Sequence, residues 1–235
     1  MDSKLRQTTA EPPHATRDND ALRAFDRGAQ RRSKRDAVLR AAASAFIREG
    51  FANTSMDDVA KSLRISKPTL YQYFPSKEDI LYACHELSMC HAEAGLALAR
   101  ETGGSGLDKL LTFLRRYMGG MLGEFGNCPV LTNVDNLSPA RRGEVVNRRA
   151  KISAAARRFI NEGVRDGSVR ACPPRLAALF TLGAVNYIPL WYRDSGPNTP
   201  EEIVESFVEF LRASIAATAP RAARRDRGAP RRSTA

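Results

Sequence analysis

The sequence predicts an all-α fold, on three observations. Apolar residues recur at three- and four-residue spacing almost everywhere between residue 33 and residue 217. No alternating apolar and polar run argues for a strand. Several of the periodic segments open on a Ser or Thr, or on a proline in the first turn, where helix starts are made.

The first helix is expected from Ser33 to Glu49, with Val38, Leu39, Ala42, Ala45 and Phe46 on one face and Gly50 placed to end it. Thr54 offers an N-cap to the second, with Asp57 as capping-box partner and Met56, Val59, Ala60 and Leu63 as its apolar face. Ser66 caps the third, where Pro68 falls in the first turn and its missing N–H costs nothing. Ser76 and Asp79 repeat the device for a fourth helix beginning near Lys77. The run "TGGSG" at 102–106 separates it from an amphipathic helix, Leu107 to about Leu122, and a loop with Gly123, Gly126 and Pro129 follows. Ser138 and Pro139 then open a long Arg-rich helix ending near Gly167. Pro173 and Pro174 open a very apolar one to about Tyr192, and Thr199 and Pro200 open the last, to about Ala217.

The ends differ from this middle. Residues 1–32, with Pro12, Pro13, Gly28 and scattered charges, and residues 219–235, rich in Arg, are expected to be disordered tails. The domains expected between them are residues 33–93, with a helix-turn-helix at about 56–75, and a larger helical domain at 94–218. Net charge is +11; residues 221–235 contribute +5 and residues 1–36 contribute +3. A chain charged in this way is attracted to polyanions through counterion release, although tails alone do not tell DNA from RNA or from an anionic membrane.

Other classes find less support. The longest uncharged stretch, Leu176 to Tyr192, has 17 residues and includes Thr181, Asn186 and Pro189, so it reads as a buried helix and no membrane partner is expected. The first thirty residues hold no signal-peptide core, and Cys84, Cys90, Cys128 and Cys172 are expected as free thiols in a bacterial cytoplasm. There is no glycine-rich phosphate loop, paired-histidine zinc motif or nucleophile elbow, so neither an enzyme nor a cofactor is expected.

Short helices joined by a tight turn over a third make a helix-turn-helix, whose second helix enters the DNA major groove. Leu70 and Phe74, four apart, supply its inner face, while Lys67, Thr69, Gln72 and Tyr73 point elsewhere. The run "RDAVLRAAASAFIREGFANTSMDDVAKSLRISKPTLYQYFPSKEDIL" at 35–81 resembles the N-terminal domain of the tetracycline-repressor (TetR/AcrR) family of transcriptional regulators. The resemblance is carried by Ala42, Phe46, Gly50-Phe51, Thr54, Val59-Ala60, Ser66, Leu70-Tyr71, Tyr73-Phe74 and Ser76-Lys77-Glu78. One position departs: Arg64 stands where the family usually has glycine in the turn.

The resemblance implies a homodimer on a pseudo-palindromic operator of double-stranded DNA, its two reading helices about 34 Å apart. It implies Thr54, Tyr71 and Lys77 as phosphate contacts, and it places Lys67, Thr69 and Gln72 to reach base edges, with Tyr73 beside them. It implies a helical second half that binds a small-molecule effector and is usually linked to repression. Phe113, Tyr117 and Met121, with Phe125 just after, offer one wall of such a site; Asn186, Tyr187 and Trp191 offer another, similar to members that answer to acyl-CoA or fatty-acid derivatives. The last two helices are implied as the dimer interface, with Ile203, Phe207, Phe210 and Leu211 as one stripe. Two alternatives stand beside this reading. "CHELSMCH" at 84–91 could make a metal- or thiol-sensing regulator of the same fold, and the basic tails could serve a non-specific nucleoid DNA-binding protein.

Overall fold

A computed structural model of the chain describes residues 14–123 and 133–217, with side chains from residue 28 onward. Phe125, expected in the effector wall, lies outside the described residues, as do Gly126, Cys128, Pro129 and the tail 219–235. The described residues form eight α-helices and one 3-10 turn (Val134–Asn136), and an isolated antiparallel bridge between Val169 and Ala216 is the nearest approach to a strand among them. The chain divides into two compact units, Met1–Ala83 and Cys84–Ala235, each described by itself.

The first unit holds α1 (His14–Arg48), α2 (Met56–Ser62), α3 (Lys67–Tyr71) and the start of α4 (Lys77–Thr102). Helix α1 begins far ahead of the expected Ser33, within the stretch expected as a disordered tail. The sequence after Pro13 explains this: it lacks proline and is rich in Ala and Arg, strong helix formers that need no apolar face to favour the helix. From Val38 onward α1 buries Val38, Leu39, Ala42, Ala43 and Phe46, and the core continues through Phe51, Met56, Val59, Leu70, Phe74 and Ile80. Gly50, at φ 86°, ends α1 in the left-handed region as expected.

The cap of α2 sits one residue later than expected. Ser55 accepts from the Asp58 amide while the Asp58 carboxylate accepts from the Ser55 amide, a complete capping box. Thr54 does not face those amides, because its hydroxyl donates to the Gly50 carbonyl at 2.9 Å and finishes the turn after α1. The α2–α3 turn keeps its left-handed residue without glycine: Arg64 has φ 54°. Its amide donates to Lys61 O at 3.0 Å and the Ile65 amide to Ala60 O at 3.0 Å, the two bonds of a Schellman motif. Ser66 caps α3 and Ser76 with Asp79 opens α4, both as the sequence predicts.

The second unit contains the rest of α4, then α5 (Gly106–Leu122), α6 (Pro139–Asp166), α7 (Pro174–Trp191) and α8 (Pro200–Ile215). Helix α5 is central, packing on α6, α7 and α8, with Leu110, Leu111, Phe113, Leu114 and Met118 buried along it. Its start is pressed against α6: a Cβ on Gly106 would stand 2.0 Å from the Gly163 amide nitrogen and 2.4 Å from the Phe159 carbonyl, so the two backbones touch directly. The same end is closed by Asp166, which accepts from the Gly106 amide at 2.7 Å, and by the Ser168 hydroxyl, which accepts from the Leu107 amide at 3.2 Å. The end of α8 is tied back by Arg170 N–H donating to Ile215 O and Ala217 N–H donating to Ser168 O.

Candidate nucleic-acid interface and ligand cavity

Helix α3 is anchored by Leu70, 0% exposed, and closed by Phe74, 2% exposed, with the Arg35 guanidinium 4.7 Å above the Phe74 ring. Its other faces are available: Lys67 and Gln72 are exposed, Tyr71 is 41% exposed, and Thr69 and Tyr73 are half-buried. In the free protein Lys67 Nζ lies 3.0 Å from an Asp57 oxygen on α2, and that carboxylate holds its pKa above the usual lysine value. The Thr69 hydroxyl is 2.7 Å from that of Ser66. Gln72 and Tyr73 share a polar groove of about 470 Å³ with Gln30, Arg31 and Lys34 of α1. These basic residues were not singled out by the sequence, because their nearness to Gln72 exists only once α1 folds across α3.

Two expected phosphate contacts are occupied internally. Thr54 is 1% exposed and its hydroxyl is spent on Gly50, so it offers the surface nothing. The Lys77 ammonium donates to the carbonyls of Phe51 and Ala52 and, at 2.8 Å, to that of Thr54; it also lies 4.2 Å from the Phe51 ring centroid. Partial burial pulls its pKa below the usual lysine value, and the ammonium donates to carbonyls that only N–H or O–H groups can satisfy. Lys77 thus closes the α1–α2 loop onto the start of α4. The resemblance could not show this, because a lysine at a helix start reads equally as a surface charge.

In the second unit a cavity of about 270 Å³ lies among α4, α5, α6 and α7. Its lining is apolar at Met89, Ala92, Ile152 and Leu182 and polar at Ser88, Tyr117, Arg149, Ser153 and Asn186. The Tyr117 hydroxyl donates to Asn186 Oδ1 at 2.8 Å and lies 3.2 Å from the Ser88 hydroxyl; burial pushes the phenol's pKa upward, so it stays a neutral donor. Arg149 adds a guanidinium whose Nη2 is 3.0 Å from His85 Nδ1. An arginine can only donate, which makes Nδ1 the acceptor and leaves the ring proton on Nε2.

Of the expected effector residues, Tyr117 and Asn186 meet in this cavity. Phe113 stands behind it, stacked on Tyr117 at 5.9 Å between centroids. Met121 is buried but does not line it. Tyr187 and Trp191 do not line this cavity: they are 59% and 43% exposed, on the far side of α7 from Leu182 and Asn186, because each step along a helix turns the side chain by about 100°. Trp191 stacks at 6.1 Å on Phe207 of α8, and Leu176, Phe180 and Phe210 extend the same apolar exposure.

The "CHELSMCH" residues scatter. Cys84 is buried, Cys90 is exposed, His85 meets Arg149, and His91 packs on Gly120, where a Cβ would come within 2.4 Å of its Nδ1. Burial and then the Arg116 charge lower the His91 pKa. Among the described residues no three such side chains are grouped to hold a metal, and no helix is long and apolar enough to cross a membrane.

Comparison with known proteins agrees with this geometry. Residues 38–84 match the model of bacterial regulatory proteins of the tetR family, and residues 103–215 match the tetracyclin repressor-like C-terminal domain. Over 69 residues the chain is 39% identical to the HTH-type transcriptional regulator EthR of Mycolicibacterium smegmatis; the match takes in 29% of this chain and spans only 32% of that protein. The TetR family regulator PfmR of Thermus thermophilus is similar in structure, with a TM-score of 0.63 at 28% identity, over 75% of this chain and 97% of that one. The ketosteroid regulator KstR2 of Mycobacterium tuberculosis superposes with a TM-score of 0.69 at 19% identity, over 79% and 96%. AibR in complex with isovaleryl coenzyme A and operator DNA does so with 0.61 at 23%, over 75% and 97%. At these last identities the likeness is one of fold.

Proposed function

The chain belongs to the tetracycline-repressor (TetR) family of bacterial regulatory proteins, and from that premise we propose that it acts in the cytoplasm as a homodimeric repressor released from its operator by a small, mostly apolar effector. The observation that carries the DNA-reading part is the outer side of α3. Lys67, Tyr71 and Gln72 are exposed there over a buried Leu70, with Arg31 and Lys34 beside Gln72 and Tyr73. Lys67 and Gln72 are the residue types that pair with guanine and adenine edges, and Thr69 is adjacent. Tyr71, Arg31 and Lys34 suit the phosphates that set register. Thr54 and Lys77 support that surface from within and make no DNA contact in this reading.

Dimerisation is supported by the apolar side chains left exposed on α7 and α8, from Leu176 and Phe180 through Tyr187 and Trp191 to Phe210, a concentration uncommon on a monomer. The effector enters the cavity around Tyr117 and Asn186. Its wall includes Ser88, Met89 and Ala92 of α4, the helix whose first turn Lys77 secures. A ligand that favours one position of α4 over another shifts the dimer toward a spacing the operator does not fit; unequal affinity for the two states is all that is required.

Fluorescence anisotropy on palindromic DNA upstream of the chain's own or neighbouring genes, against random DNA of equal length, tests the proposal. Preference for one palindrome by about a thousandfold or more is expected for specific binding. A ratio near one would replace the repressor with a non-specific DNA-packaging protein.

A further inference from the structure

Most basic side chains of the second unit whose contacts are seen are matched by acids. Arg148, next in sequence to Arg149, is held by Glu93 at 2.8 and 2.9 Å and by Glu86; Lys109 faces Glu162 at 2.9 Å, and Arg115 grips Glu205 with two bonds of 2.7 Å. Arg165 and Arg193 donate to backbone carbonyls, and Arg149 differs from all of these. It is drawn into the cavity, pairs with no carboxylate among the described residues, and donates to a neutral imidazole nitrogen, while its buried Nε has no hydrogen-bond partner. Burial lowers its pKa, but an arginine remains charged in a protein. A partly desolvated cation without an anion is costly unless something else supplies the countercharge. In a cavity lined also by Met89, Ala92, Ile152 and Leu182, a bound anion would supply it.

We infer that the effector is a small apolar carboxylic acid, held as its carboxylate by the Arg149 guanidinium beside Tyr117 and Asn186, with its hydrocarbon or aromatic body against the apolar lining. The inference rests on the effector-controlled reading of this cavity. A guanidinium is a strong partner for a carboxylate through charge-assisted N–H···O bonds, and Arg149 lines the cavity. Size points the same way. A volume of about 270 Å³, at roughly 30 Å³ for each water-sized group, holds on the order of nine non-hydrogen atoms. That suits the body of a medium-chain or phenyl-substituted acid.

Isothermal titration of the full chain at neutral pH with octanoate, phenylacetate, octanamide and octanoyl-CoA tests this, on the wild type and on Arg149→Met and Arg149→Lys. Circular dichroism is used to confirm that the variants fold. At least one acid is expected to bind ten times or more tightly than octanamide. Arg149→Met should weaken that acid at least tenfold and octanamide by less than threefold, with Arg149→Lys intermediate for the acid. Equal binding of acid and amide, equal loss of both in Arg149→Met, tighter binding of octanoyl-CoA than of octanoate, or no binding of either acid at millimolar concentration would each overturn it. Operator release, read in parallel by anisotropy, separates this inference from its premise. Release by octanamide or octanoyl-CoA but not by the acids leaves the effector-controlled repressor standing and removes the carboxylate. Tight acid binding that never alters operator affinity removes the repressor mechanism instead.

Discussion

Replacing Lys77 with Met keeps the aliphatic stem and removes the ammonium, which separates two roles that a lysine at a helix start could have. In the structure that ammonium serves the carbonyls of Phe51, Ala52 and Thr54 and lies 4.2 Å from the Phe51 ring centroid. A hydrogen bond from a charged donor contributes roughly 1.5–3 kcal/mol when buried, and a cation over an aromatic face about 0.5–1 kcal/mol when exposed. The Ala52 contact is long, at 3.5 Å, and the lysine is only half-buried, so water takes over part of the role. A loss of about 2 kcal/mol overall follows, which for a chain of this size lowers the melting temperature by about 4–8 °C. Differential scanning calorimetry of Lys77→Met against wild type measures it, with DNA affinity followed across salt concentrations. The expected result is a clear drop in melting temperature with the salt slope unchanged. Unchanged melting together with a slope reduced by about one would show that the ammonium sits on a phosphate, and the carbonyl clamp would be wrong.

Further outcomes follow from the same geometry. Lys67→Ala should lower discrimination between operator and random DNA by about tenfold or more, the scale of one good base contact, while random-DNA affinity changes little; competition anisotropy reads this, and intact discrimination would remove Lys67 from the bases. Gly106→Ala puts a methyl 2.0 Å from the Gly163 nitrogen, where backbone rather than a flexible side chain must give way, so a loss of about 3 kcal/mol in urea unfolding is expected. Arg64→Gly relieves a left-handed strain of roughly 1–2 kcal/mol but frees the unfolded chain by about 0.4–1 kcal/mol, so a net gain of about 0–1.6 kcal/mol is expected, again by urea unfolding. Asp166 has its pKa lowered, first by the Ser168 hydroxyl and then by the Gly106 and Ser168 amides. Its stabilisation is therefore complete above the ordinary value of 3.8 and is lost as pH falls through the lower folded value. Asp166→Asn should melt below wild type at pH 7, and the gap should close as the pH is taken below 3.8.

What the sequence shows well is local chemistry, and the helix starts illustrate why. Ser66 before Pro68, Ser76 before Asp79 and Thr199 before Pro200 each satisfy their amides within four residues, so the signal and the structure it describes share one stretch of chain. The same logic fails by one residue at α2, where Thr54 and Ser55 are both competent caps. The choice depends on burial: Thr54 turns back to Gly50 and leaves Ser55 to face the helix. Functional residues fail for a larger version of the same reason. Arg148 and Arg149 look alike in "NRRAK", yet one step of about 100° around α6 sends the first to Glu86 and Glu93 and the second into an apolar cavity. Asn186 and Tyr187 divide likewise on α7, one to Tyr117 and one to the surface. Helical period alone could have separated each pair, given a fixed zero. In α6 the buried Val145, Ile152, Ala156 and Phe159 provide one, and Arg149 lies on their side because it stands four after Val145 and three before Ile152. Position along the chain does not distinguish the two arginines; the angle of each around the helix decides which one meets acids and which one enters the cavity.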